Sequence, residues 1–304
     1  MRSSTPLRPS AAASPYVYRR TASPADAARW TGRRTLVTNL RTVLGRAYPR
    51  IIGMAREPSW LFFEILLPFL TTSAFVFVYR ALDAPNEFVG FAVLGGAMTA
   101  FWLNVVWMMA AQLYWEKDQG NLELYFTAPI SLMSILFGMA IGGLVLSCFR
   151  AGVVLFVGAF LYGVVFSVEQ WALLLGVFAL TLASLYGLGM VLATLFLLWG
   201  REAWHLTQLL QEPVYFVSGL NFPVGRLGFL GALAVSTLPL AVGLDAMRQL
   251  AFGGAGRLSG VLPPDVELGI LALMTVFFIG SARLLMRFIE RLARQEGRLT
   301  MRGS

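Results

Sequence analysis

The chain has 304 residues, 57% of them hydrophobic and only 13% charged, whereas soluble domains carry about 25% charged residues. The net charge of +8 comes from arginines gathered at the two ends beside apolar segments, and no basic helix interleaved with stacking aromatics appears; this excludes a nucleic-acid binder and points to an all-α membrane bundle. One cysteine, Cys148, excludes an intrachain disulfide, and with a single histidine, His205, the chain lacks the ligand set of a metal cage.

Residues 1–32 are rich in Ser, Pro, Ala and Arg and bury too little apolar surface to offset ordering entropy, so they are expected to be a disordered tail. They contain no apolar core of a cleaved signal, which predicts an N-terminus kept in the cytoplasm and a first span that serves as the membrane signal. Over residues 33–57, Leu36, Leu40, Val43, Leu44, Ala47 and Ile51 recur at helical spacing, while Arg33, Arg34, Arg41, Arg46 and Arg50 lie off that stripe. This pattern predicts an amphipathic interface helix, its apolar side in the membrane and its arginines toward anionic headgroups. A soluble helix packed on a partner is the other reading, and the span that follows directly favours the first. Pro49 is expected to kink or divide the helix.

Six spans follow, judged against the roughly 20 apolar residues that cross a bilayer: Trp60–Tyr79, Phe88–Leu113, Ser134–Phe166, Trp171–Trp199, Leu206–Leu220 and Leu268–Phe288. The fifth is short and holds Pro213. The apolar stretch Phe222–Phe252 is broken by Pro223, Gly225, Gly228, Gly231, Pro239 and Gly243, which predicts re-entrant helices, tolerated at membrane depth where protein or a cavity satisfies the backbone. Eleven arginines precede Trp60, and Arg283, Arg287, Arg291, Arg294, Arg298 and Arg302 close the chain, whereas the loop after the first span holds only Arg80, with Asp83 and Glu87. Both ends are therefore expected in the cytoplasm, with an even number of spans over residues 58–290 and a basic tail over 291–304. Splitting the third span at Arg150 would need a turn signal that is absent there, and would break the parity.

Between the second and third spans, the segment Tyr114 to Ile130 is not a simple polar connection. Leu122, Tyr125 and Phe126 form an apolar face with Glu123 off it, Gly120 permits a sharp turn, and Pro129 ends one helix or starts the next. A short amphipathic helix flanked by acids suits docking into a groove of another protein; an ordinary interfacial loop helix fits the same pattern.

The run Glu116-Lys-Asp-Gln-Gly-Asn-Leu-Glu-Leu124, followed by Thr127-Ala-Pro-Ile-Ser131, resembles the cytoplasmic loop of ABC-2 type transporter permeases. So does Ser218-Gly219, then Phe222-Pro223, then Leu238-Pro239-Leu240, then Asp245 and Arg248, which is similar to the stretch before that family's last span. Asn121 stands where many members carry Thr, and Met139 where many carry Lys. The resemblance covers about residues 35–294. It implies a membrane subunit that pairs with a second copy or a related permease and docks two ATP-binding subunits. Glu116, Gly120, Asn121, Leu122, Glu123, Tyr125, Phe126 and Pro129 would belong to the ATPase-coupling loop, and Arg41, Arg46 and Arg50 to the interface helix. Gly219, Pro223, Pro239 and Arg248 would belong to re-entrant helices that close the outer side of a substrate path.

Arg150 lies in an apolar run, where a charge is costly; a functional role and a structural pairing inside the bundle are both open. Glu64 is expected to snorkel to the cytoplasmic surface, His205 to be interfacial, and Asp245 with Arg248 to form a helix-surface pair or to cap a re-entrant turn. Gly138, Gly142 and Gly143 allow close helix approach. The chain has no G-x-x-x-x-G-K-[ST] phosphate loop, no Ser/His/Asp set and no paired acidic cluster for acid–base work, so an intramembrane enzyme is disfavoured and no cofactor is expected. The leading expectation is the permease subunit of an exporter in the bacterial plasma membrane, in contact with membrane lipids, moving a lipophilic, drug-like or lipid-linked cargo. The alternative is a non-transporting membrane scaffold or assembly protein.

Overall fold

The computed structural model describes residues 33–121, 125, 131–199, 203–253 and 260–296, and among these every regular element is helical. From residue 39 on, the chain packs as one unit.

Helix α1 (Arg33–Ala55) is followed by α2 (Pro58–Ala81) and α3 (Asn86–Leu103). The latter runs through a π-helical segment, Asn104–Ala110, into α4 (Gln112–Asp118). Then come α5 (Leu132–Tyr162), α6 (Trp171–Trp199) and α7 (Ala203–Val217). A 3-10 turn (Val224–Leu227) leads to α8 (Gly228–Val235), α9 (Pro239–Ala251) and α10 (Pro264–Glu296). Among the described residues, five helical stretches are long and apolar enough to cross a membrane: Pro58–Ala81, Asn86–Asp118, Leu132–Tyr162, Trp171–Leu197 and Pro264–Ile289. The expected fifth span is represented by α7, whose 15 residues reach only about 22 Å.

Several boundaries differ from the sequence reading. The second span does not stop at Leu113 but continues to Asp118, so the connection begins at Gln119. Pro49 neither ends nor divides α1, which is helical on both sides of it. Helix α10 runs to Glu296 and takes in the first residues of the expected basic tail. The expected tails over residues 1–32 and 297–304 lie outside the described residues.

The α3–α4 hairpin arm is the centre of the packing. Of its most apolar window 89% is buried, against 11% for α10, which places the first inside and the second on the lipid-facing rim. Phe62, Phe63 and Leu67 on α2, Phe156 and Phe160 on α5, and Val276 and Phe277 on α10 are exposed. An apolar rim of that extent belongs in hydrocarbon rather than water. Because lipid is as apolar as leucine, close packing rather than water exclusion must hold the helices together. The sequence supplies small residues where helices meet: Gly96 lies against Thr72, Gly143 against the Asn104 amide, Gly243 against Thr181, and Gly95 against the Leu220 carbonyl. Helices α3 and α5 are antiparallel, with Gly158 at Val93 and the Ser147 hydroxyl donating to the Ala100 carbonyl at 3.3 Å. Helices α6 and α10 run parallel, with Gly176 at Leu268 and Gly187 at Phe278 and Ile279.

Candidate functional site

The C-terminal end of α4 meets α1 in a polar knot. Glu116 is buried, and four side chains converge on its carboxylate. Arg46 forms an ion pair with Oε1, and the Gln112 amide donates to the same oxygen at 3.2 Å. On Oε2, the Asn121 amide donates at 3.0 Å and the Tyr125 hydroxyl at 2.8 Å. The Arg46 guanidinium also lies over the Tyr125 ring, 5.2 Å from its centroid. Gly120, with φ at +78°, makes the turn that brings Asn121 back onto Glu116. The knot thus joins the interface-helix candidate, the second span and the start of the connecting segment through one carboxylate.

Burial raises the Tyr125 phenol to about 12, and its bond to Glu116 pushes the same way, so it stays a donor through the physiological range. Its contribution is complete below about pH 10 and is lost as pH rises toward 12. Tyr125→Phe should cost about 1–2 kcal/mol in thermal unfolding at neutral pH and leave the pH 6–9 stability profile unchanged in shape. A Tyr125→Phe variant with wild-type thermal stability would mean that Tyr125 does not donate to Glu116.

This geometry corrects two readings. Arg46 and Arg50 do not point toward headgroups: Arg46 pairs with Glu116, and Arg50 Nη2 donates to the Met108 carbonyl at 2.6 Å. Burial lowers the Arg50 guanidinium to about 10, which leaves it cationic at neutral pH. Arg41, Leu40 and Leu44 are exposed instead, while Gly138 and Gly142 of α5 pack against Val43, Arg46 and Ala47. Glu116 and Tyr125, read as parts of a docking surface, are turned inward. Leu122, Glu123, Phe126 and Pro129 lie outside the described residues.

The π-helical segment carries Asn104, Trp107 and Met108 on one wall of a 620 Å³ cavity between α2, the second span and α7. Trp60, Phe63, Leu67, Trp107 and Trp115 make it aromatic, and the Trp107 indole donates to Gln211. At its floor Arg150 pairs with Glu64. Glu64 therefore does not snorkel; it is the carboxylate that makes Arg150 tolerable in the span. Arg150→Met should strand Glu64 and destabilise the fold by about 2–4 kcal/mol, and adding Glu64→Gln should restore most of that. If the double variant is as unstable as the sum of the singles, measured by thermal unfolding, the pair carries no coupling. A second cavity of 580 Å³, lined by Arg46, Arg50, Glu57 and Glu116, shares Trp60 and Met108 with the first. Sequence reasoning missed Asn104, Gln112 and Gln211; the available signal was a polar residue inside an apolar run.

At the other end of the bundle Arg248 is fully buried, not a surface pair. Its guanidinium donates to the carbonyls of Phe222 at 3.0 Å, Leu220 at 3.0 Å and Phe91 at 2.9 Å, and sits 5.3 Å from the Phe91 ring centroid. Gly219 turns the chain with φ at +80°, Pro223 leads into the 3-10 turn, and Pro239 begins α9. His205 is exposed. Arg248 therefore satisfies the backbone of the 218–223 turn and ties it to α3, without Asp245, which the sequence reading had paired with it.

Compared with known proteins, residues 46–252 match the sequence model of a family described as ABC-2 type transporter. No curated protein matches the chain. The matched region begins at Arg46 and ends at Phe252, so it includes the Glu116 knot, the aromatic cavity and the Arg248 anchor.

Proposed function

Because the chain belongs to the ABC-2 type transporter family, we propose that it is the permease subunit of an exporter driven by separate ATP-binding subunits. A multi-pass membrane permease of an ABC-type transporter, with no catalytic activity of its own, is the common ground of its family and its apolar helices. The family works with ATP-binding subunits and dimerises.

The observation that carries the finer reading is the Glu116 knot. The segment around residues 119–130 is the coupling helix, and partner ATPases push on it as they close. Through Asn121, Tyr125 and Arg46 that push reaches α1 and the second span together. The bundle then shifts between inward- and outward-open states, each favoured by a different nucleotide state of the partners.

Six crossings with both ends in the cytoplasm suit the helix directions. Helix α6 ends beside α4, where Phe196 packs with Ala110 and Ala111, whereas α10 starts beside the 260–263 turn at the opposite end. On this reading α7 carries the chain across between them, with α8 and α9 as re-entrant helices at the far end. The cargo is lipophilic or amphipathic, drug-like or lipid-linked. A 620 Å³ aromatic cavity floored by an ion pair supports this, since cavities of about 300–1,000 Å³ with few polar groups are typical of small-molecule sites. The membrane is the bacterial plasma membrane, and α1 is the interface helix, with exposed Leu40 and Leu44 toward lipid.

The test is purification of the tagged protein in mild detergent. A co-eluting soluble partner with a G-x-x-x-x-G-K-[ST] loop and ATPase activity is expected. A chain that elutes alone, or with non-ATPase partners, across several detergents would overturn the exporter reading in favour of a membrane scaffold.

A further inference from the structure

Asp245 on α9 and Glu267 in the first turn of α10 are both buried, and their side chains are in hydrogen-bonding contact. The donors around them are too few for two negative charges. The Val261 backbone N–H donates to Asp245 Oδ2 at 2.8 Å. Gln249 Nε2 gives one N–H to the Leu262 carbonyl at 2.7 Å, which leaves one for Asp245 Oδ2 at 3.4 Å and Glu267 Oε2 at 3.3 Å together. Asp245 Oδ1 is buried without a hydrogen-bond partner, and Asp245, Glu267, Ser236 and Val261 line a small chamber of about 20 Å³, the size of a single water.

The charged and titratable groups facing the pair among the described residues are few. Arg248, one turn along α9, gives its Nη groups to the three carbonyls, keeps a buried Nε without a partner, and forms no ion pair with Asp245. Tyr79 donates to the Asn221 carbonyl at 2.6 Å, and Asp265 on α10 is exposed. No third His, Cys or carboxylate joins the pair among the described residues, so it is not built for a metal ion. Two buried carboxyls in contact relieve their repulsion by sharing a proton. A cleft of 450 Å³ lined by Gln170, Gln249 and Asp265 shares Val261 and Leu262 with the chamber.

We propose that Asp245 and Glu267 form a proton-binding site that latches α9 to the start of α10, holding one shared proton while the latch is closed and ionising when it opens. The latch joins the Arg248-anchored turn to the last span, so its opening is coupled to movement at that end of the bundle. The site itself stands whether or not the chain exports anything.

The experiment is infrared spectroscopy of the purified full-length protein in lipid nanodiscs, read at the C=O stretch of a protonated carboxylic acid. A band at pH 7 that shifts in deuterium oxide, is lost in Glu267→Gln, and disappears in the wild type as pH rises is the expected result. Because a shared proton stabilises the folded state only while it is held, the wild-type Tm should fall over the same rise in pH, and the Glu267→Gln Tm should not. If the variant fails to fold, the deuterium shift and the pH titration of the wild-type band still decide. A wild-type spectrum with no titrating carboxylic band would overturn the proposal. So would a Tm that Na⁺, but not choline, raises in the wild type and not in Glu267→Gln.

Discussion

Arg248→Met should leave little folded protein. The carbonyls of Leu220 and Phe222 lose their side-chain donor, and that of Phe91, inside α3, loses its second one. Each buried acceptor left unpaired costs about 1–3 kcal/mol, and removing a desolvated charge offsets part of the sum. A net loss of about 4–6 kcal/mol is expected, a large share of the roughly 5–15 kcal/mol that stabilises most proteins. The damage is concentrated because the same turn packs closely on α3, with the Gly95 backbone against the Leu220 carbonyl. Arg248→Lys keeps a charge and three N–H groups but not the planar fork, and should cost about half as much. Thermal unfolding in nanodiscs, with the yield of monodisperse protein, reads both. An Arg248→Met variant with wild-type Tm would show that the 218–223 turn holds itself.

The second large effect is on coupling. On the proposed exporter reading, Leu122→Arg puts a charge into the segment expected to dock the ATPases and should abolish export while membrane insertion stays intact. Glu116→Ala acts from the other side. It frees Arg46, Gln112, Asn121 and Tyr125 together, so the connecting segment is no longer tied to α1 and the second span. Coupling free energies between sites are about 1–3 kcal/mol, so export per ATP hydrolysed should fall by about 5–150-fold. Glu116→Gln keeps the acceptor oxygen for one or two of these bonds and should fall between. The ratio of export to ATP hydrolysis in proteoliposomes is the measurement. An unchanged ratio in Glu116→Ala would remove the knot from the coupling route, and retained export in Leu122→Arg would remove the segment itself.

The membrane class, five of the spans, the helical α1 and the family were all legible in the 304 residues. Hydropathy sums over a window of neighbours, so a run of apolar residues declares a span whatever lies elsewhere in the chain. Glycine and proline act equally locally, which is why Gly219, Pro223 and Pro239 fall at a turn, before a 3-10 turn and at a helix start. Pairing at depth was not legible. Arg46 meets Glu116 across 70 positions, Arg150 meets Glu64 across 86, and Arg248 meets the Phe91 carbonyl across 157. Arg46 was read as a headgroup contact, Arg150 as a functional charge or an unspecified structural pairing inside the bundle, and Arg248 with Asp245 as a surface pair or a turn cap; none was assigned the partner it has. Which carboxylate or carbonyl a buried arginine finds depends on how distant helices register against one another. That register is set by small residues such as Gly95, Gly96 and Gly143, whose partners the sequence does not name. The π-helical segment shifts the register once more and brings the Met108 carbonyl to Arg50. Local hydropathy thus determined where the chain enters the membrane, and only the tertiary packing decided which of its few charges meet inside it.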